Sequence, residues 1–187
     1  AGVIVLAIPM LLIAAIVRLD SPGPVLFWQR RVGIHKVCFM MPKYRTMHIN
    51  TPHDVPTHLL SNPDQWITRV GRMLRRMSLD ELPQILCILT GKTSVIGPRP
   101  ALWNQYDLLA ERDKYGANDI RPGLTGWAQI NGRDELPIGE KARYDGEYVK
   151  HMSFLFDCKC FFGTVGAVLR HDGVREGAEK PKELAKR

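Results

Sequence analysis

Aromatic residues are scarce: four tryptophans, five tyrosines and six phenylalanines make up 8% of the 187 residues. They are not interleaved with the basic residues as a base-stacking platform would need, so no nucleic-acid partner is expected. Cysteine is rarer still, at Cys38, Cys87, Cys158 and Cys160. Only the last two lie close, as C-x-C, with no second pair and no helical histidine pair. No zinc site is completed, and reduced thiols facing a cytosol are expected. The patterns G-x-x-x-x-G-K-[ST] and G-x-G-x-x-G are missing, which sets aside P-loop and dinucleotide-binding chemistry. The absence of G-x-S-x-G weakens a serine hydrolase. No internal repeat is found, and no charged residue precedes Arg18.

What is present begins with that uncharged run. Seventeen helical residues reach about 25 Å, short of a hydrocarbon core of about 30 Å. Pro9 sits in its middle, removes a backbone hydrogen bond and predicts a kink. The run suits three placements equally: dipping into one leaflet and returning, ending a spanning helix, or packing in a core. Arg18-Leu19-Asp20-Ser21 makes a poor signal-peptide cleavage site. The chain opens on Ala1 with no initiator methionine, as a trimmed chain does. Hydrophobic residues at 45% support a folded core. A net charge of +7 favours nucleic acid, anionic lipid or nucleotide phosphates without choosing among them.

Ser21-Pro22-Gly23-Pro24 ends the apolar run. Phe27 and Trp28 beside Arg30 and Arg31 suit a membrane interface, or an ordinary edge strand. Val37 to Met41 reads as a buried strand closed by Pro42. Lys43 and Arg45 then put two cations on one face of an extended stretch. Residues 48–65 form a long polar loop with three prolines, whose histidines are solvated. From Ile67 the apolar stripe Ile67, Val70, Met73, Leu74 and Met77 predicts a helix. Ser78 to Glu81 matches a capping box ahead of a second helix that ends near Gly91. A short strand over Ser94–Ile96 precedes the irregular Gly97-Pro98-Arg99-Pro100. A helix follows over 101–115, then a rigid loop over 120–126, a strand over 127–130, and helices over 141–151 and 154–169. The charged tail from Glu176 frays.

Asp80-Glu81 is the chemical centre. Two carboxylates in a first helical turn lie near the positive end of the macrodipole, which keeps them ionised. Such a pair can supply a nucleophile or hold a divalent metal through oxygen. It is also ordinary helix capping. Arg75, Arg99, Arg121 and Arg133 stand at a helix end or in Gly- and Pro-bearing loops, where a guanidinium is well shaped for phosphate. Residues alone thus indicate an anion-binding, membrane-associated domain with a carboxylate site.

Five stretches in order carry a resemblance: Ser21 to Val25, Lys43 to Met47, Arg75 to Gln84, Ile96 to Pro100, and Arg121 to Arg133. With them the chain resembles the bacterial sugar transferases, the monotopic phosphoglycosyl transferases. The resemblance implies an α+β, mostly helical fold, with a re-entrant helix bent at Pro9 over residues 1–20 and interfacial amphipathic helices. A catalytic domain over 21–175 and a charged tail over 176–187 follow, on the cytoplasmic face of the bacterial inner membrane. Asp80 is implied as nucleophile and Glu81 as its partner, with Mg²⁺ held between them. The donor is a UDP-sugar, the acceptor undecaprenyl phosphate, and the surroundings membrane lipid. Arg75, Arg99 and Arg133 are the implied phosphate contacts, with Arg121, Pro122 and Gly123 near the nucleotide. Lys43, Arg45, Asp145 and Asp157 are further candidates. A hydrolase using Asp80 and a non-catalytic anionic-lipid binder are the alternatives. Departures from the family pattern fall at Ile8, Pro42, Cys87 and Gly91-Lys92-Thr93-Ser94; none touches the dyad.

Overall fold

The computed structural model describes residues 2–51, 63–132 and 136–170. The first helix, α1 (Gly2–Asp20), carries Pro9 inside it, the position at which a kink is expected. Among the described residues no helix is long and apolar enough to cross a membrane. One side of α1 is docked: Val17 is buried with Tyr44 and Leu74, and Ile13 and Ala14 pack beside it. The Tyr44 hydroxyl donates to the Met10 carbonyl at 2.7 Å. The other side leaves Ile8, Leu11, Leu12 and Leu19 60–87% exposed.

Strands β1 (Leu26–Val32) and β2 (Cys38–Tyr44) form an antiparallel ribbon. The expected strand end at Pro42 is not there: β2 continues through Pro42, opposite Trp28. Each strand of a two-stranded ribbon has an open edge, and an edge tolerates a residue without an N–H. Residues 52–62 of the expected long loop lie outside the described residues.

Helix α2 (Arg69–Arg76) is capped by Thr68, whose hydroxyl accepts from the Gly71 N–H at 2.9 Å. Gly71 lies against the Thr46 backbone, and a Cβ there would collide with the Thr46 carbonyl. After α2 the expected capping box does not form. Ser78 is left-handed, with φ 54°, and its side chain caps nothing. The chain turns into a 3₁₀ helix over Leu79–Gln84, then the short α3 (Ile85–Leu89). A capping box needs its glutamate to reach back to the cap N–H. Here Glu81 is held by cations from elsewhere in the fold.

Strand β3 (Ser94–Ile96) pairs in parallel with β4 (Gly123–Thr125), so the loop expected over 120–126 contains a strand. Helix α4 (Tyr106–Asp113) is shorter than the expected 101–115. Residues expected as a strand form the one-turn α5 (Trp127–Ile130), closed by Ile130 N–H to the Gly126 carbonyl at 3.3 Å. Helices α6 (Ile138–His151) and α7 (Phe154–Arg170) follow as expected, α6 beginning a turn earlier. The expected charged tail, 176–187, lies outside the described residues. Apolar packing is divided: Val32, Ala101, Leu108 and Ala142 form one cluster; Ile96, Tyr148 and Cys160 form another.

Candidate active site

The 3₁₀ turn Leu79–Gln84 packs against β2, which brings Lys43 to the carboxylates. The Lys43 ammonium donates to Glu81 Oε1 at 2.9 Å. Arg99 Nη1 donates to Glu81 Oε2 at 3.1 Å, and its Nη2 to Oε1. Both oxygens of Glu81 are therefore engaged, and its side chain is only 16% exposed. Asp80 differs. Among the described residues its carboxylate has no hydrogen bond and no ion pair, although Lys43, Arg75 and Arg99 all act on it by charge. Glu81 accepts three hydrogen bonds, one short of the about four a carboxylate can take, and Asp80 accepts none.

Electrostatics separate the two further. Burial is the largest influence on Asp80 and, with the Glu81 charge, pushes its carboxyl above the usual value against the pull of Lys43, Arg75 and Arg99. Burial is also the largest single influence on Glu81. There the Arg99 and Lys43 charges and hydrogen bonds overcome it and hold the carboxyl well below its usual range. The sequence reading places both acids at the positive end of a macrodipole that keeps them ionised; the fold instead shifts them in opposite directions, up for Asp80 and down for Glu81. The turn is 3₁₀ and short, and desolvation dominates at Asp80. Burial likewise lowers Lys43, in part offset by Glu81.

The loop carrying Arg99 is fastened residue by residue. The carbonyl of Pro98 accepts from Gly123 N–H at 2.9 Å, and that of Arg99 from Arg112 Nη2 at 3.0 Å. The carbonyl of Pro100 accepts from Arg31 Nη1 at 2.8 Å, and that of Ala101 from Val32 N–H at 2.9 Å. Four successive backbone acceptors are thus satisfied, which leaves little freedom where Arg99 starts. Gly97, at φ 158°, lets this loop lie on β4: a Cβ there would meet the Arg121 carbonyl at 2.8 Å and Gly123 N at 2.9 Å. Arg75 is placed by its Nε donating to the Thr46 hydroxyl at 2.8 Å.

Other candidates fall away from the dyad. Arg45 donates to the Pro22 carbonyl and, at 2.7 Å, to that of Ser21, fastening the exit of α1 to β2. Asp145 is 1% exposed and accepts from Arg112 Nε at 2.8 Å. Through Arg112 it stands behind the Arg99 carbonyl. Pro122 and Gly123 are backbone supports, Pro122 accepting from Ser94 N–H at 2.8 Å. Arg121 and Asp157 line a separate cleft of about 390 Å³. Arg133 lies outside the described residues. Sequence reasoning did not assign roles to Arg112, Arg31 and Thr46, which act through backbone carbonyls or through Arg75; of the three only Thr46 falls in a stretch that carries the resemblance, Lys43 to Met47.

Among the described residues no group of three or more His, Cys, Asp or Glu gathers as a metal cage. Two adjacent carboxylates, one without a partner, still fit Mg²⁺. That ion keeps its waters and takes one or two carboxylates plus substrate phosphates.

A half-buried acid set among a lysine on β2, an arginine in the last turn of α2 and another on a fastened loop is suited to a polyanion. The bacterial sugar transferase model matches residues 1–171, and the chain belongs to that family. The sugar transferase EpsL of Bacillus subtilis (strain 168), named as uncharacterized, is 40% identical over 163 residues, 87% of this chain and 78% of its own. A UDP-glucose:undecaprenyl-phosphate glucose-1-phosphate transferase of Escherichia coli (strain K12) is 44% identical over 161 residues. That match covers 82% of this chain and 34% of the relative. A UDP-N-acetylgalactosamine-undecaprenyl-phosphate N-acetylgalactosaminephosphotransferase of Aeromonas hydrophila is 35% identical over 182 residues, 91% of this chain and 43% of its own. The chain thus spans most of the first relative and less than half of the other two.

Proposed function

We propose that this chain transfers a sugar-1-phosphate from a UDP-sugar to undecaprenyl phosphate and releases UMP, with Asp80 as nucleophile. The observation that carries the reading is the asymmetry of the dyad: Glu81 engaged through both oxygens, Asp80 without a partner among the described residues yet set among Lys43, Arg75 and Arg99. Names of the relatives support the donor and acceptor classes.

In the first step an Asp80 carboxylate oxygen attacks the phosphorus bearing the sugar. The bond from that phosphorus to the bridging oxygen breaks, and UMP leaves with its electron pair. A phosphosugar ester on Asp80 remains. In the second step a phosphate oxygen of undecaprenyl phosphate attacks the same phosphorus and the Asp80 carboxylate is the leaving group. Lys43, Arg75 and Arg99 lower the repulsion between an anionic nucleophile and a pyrophosphate. Mg²⁺, held by Asp80 and Glu81, would add positive charge at the same phosphates. Glu81 keeps Lys43 and Arg99 in place. As part of the proposal, α1 bends at Pro9 to enter and leave one leaflet at the cytoplasmic face of the bacterial inner membrane; the exposed apolar residues of α1 and α7 support contact with lipid.

The test is UMP release from a panel of UDP-sugars with undecaprenyl phosphate and Mg²⁺ in membrane mimics. Wild type is expected to release UMP, and Asp80→Asn to fall by a factor on the order of 10³ or more, given loss of the nucleophile. A phosphosugar adduct on the Asp80 peptide is expected when acceptor is withheld. Equal turnover by Asp80→Asn would end the proposal.

A further inference from the structure

The turn that carries the acids shares its packing with α1. Val17 of α1, Tyr44 of β2 and Leu74 of α2 are buried together in one cluster. Ile13 and Ala14 join it from α1, and Leu79 and Leu82 join it from the 3₁₀ turn. A 3₁₀ helix has about three residues per turn, so positions i and i+3 lie on one side. Leu79 and Leu82 therefore form one edge of the turn, and Asp80 and Glu81, between them in the chain, occupy the rest. The apolar edge rests on a cluster that α1 helps to build, while Glu81 is held by Lys43 and Arg99.

The turn has little rigidity of its own. It starts from the left-handed Ser78, at φ 54°, and its first bond, Glu81 N–H to the Ser78 carbonyl, is long at 3.3 Å. The 3₁₀ form bonds poorly in general, so what packs against this turn sets where its acids lie.

Two neighbours on β2 span the arrangement. Successive side chains of a strand point to opposite faces. Lys43 donates to Glu81 Oε1 at 2.9 Å, and Tyr44, the next residue, enters the cluster and donates its hydroxyl to the Met10 carbonyl at 2.7 Å. A phenylalanine would serve the packing of the ring; the hydroxyl adds a directional tie that fixes where α1 sits along β2. The end of α1 is tied a second time, where Asp20 Oδ2 accepts from Val70 N–H of α2 at 3.3 Å. We propose that Tyr44 is a positioning residue for the transfer reaction: its bond to Met10 carries the seating of α1, through the shared cluster and Lys43, to the Asp80–Glu81 turn. The kinetic consequence rests on the transferase reading; the link between α1 and the turn does not.

The experiment is Tyr44→Phe in the full chain in detergent, which keeps the ring and removes only the hydroxyl. Hydrogen exchange is followed by mass spectrometry on peptides spanning residues 10–14, residues 78–85 and α6. Exchange is expected to quicken about fivefold, the scale of one net hydrogen bond, over 10–14 and over 78–85, and to match wild type over α6. A change confined to 10–14 would show a bond that serves α1 alone and overturns the proposal. Equal quickening in all three peptides, the mark of a general loss of stability, overturns it too, as does no change in any. With a UDP-sugar and undecaprenyl phosphate, kcat for UMP release should fall by a similar factor while KM for both substrates holds. An unchanged kcat, or a rise in KM with kcat held, counts against the positioning role. If wild type releases no UMP, the transferase reading fails instead, and the exchange pattern still decides whether α1 and the turn are linked.

Discussion

Asp80 and Glu81 are adjacent in sequence and opposite in their coupling to stability. For Glu81 the folded-state pKa lies below the unfolded one. Its ionised form therefore stabilises the fold above the unfolded value, and that contribution is lost as pH falls through the folded value. For Asp80 the folded-state pKa is raised. Its contribution is present below the unfolded value and is lost as pH rises through the folded one, so at neutral pH the ionised group costs stability. In metal-free protein at pH 7, Asp80→Asn is expected to hold or raise Tm, while Glu81→Gln lowers it by about 1–3 kcal/mol in stability. Thermal melts of both variants, with EDTA present, check this. A drop in Tm for Asp80→Asn would mean that its carboxylate supports the fold. Sequence placed both residues, but it assigned them one environment; the cations that divide them arrive from β2 and from the loop after β3.

Among the elements, the loop Gly97–Ala101 depends on parts distant in the chain. Arg112 and Asp145 meet between α4 and α6, with side chains 5% and 1% exposed. Removing one partner leaves a buried charge uncompensated, so Asp145→Asn is expected to cost about 3–5 kcal/mol. Arg112 would also hold the Arg99 carbonyl less well. Urea unfolding gives the first effect, and lowered UMP release at temperatures where the variant remains folded gives the second. Gly97→Ala acts more directly. It asks for a side chain at φ 158° and against the Arg121 carbonyl, and should destabilise by at least about 1–3 kcal/mol. The Gly-Pro-Arg-Pro stretch is visible in sequence as irregular and rigid. Its fastening is not, because the donors Arg31, Arg112 and Gly123 come from three other parts of the chain.

At the scale of the molecule, apolar surface is the dominant unexplained cost in water. Leu11 and Leu12 on α1 are 70% and 60% exposed, and Phe161 and Phe162 on α7 are 49% and 70% exposed. If these faces meet lipid, as proposed, each buried side chain contributes about 1.5–3 kcal/mol to attachment. Leu11→Gln/Leu12→Gln should then reduce partition onto anionic vesicles more than tenfold in a sedimentation assay. Partition like that of wild type would remove α1 from the contact. Local patterns were enough for sequence to mark the helices α1, α2, α6 and α7, a strand after Val37 and the candidate acids Asp80 and Glu81, since hydrophobic periodicity and breaker residues act within a few positions. Where the pattern misled, a contact beyond the segment decided: Glu81 left the cap for Lys43 and Arg99, and residues 123–125 became a strand because β3 lay alongside. Charge environment and cleft are likewise tertiary, because desolvation and ion pairing depend on which distant residues the fold brings within a few ångströms.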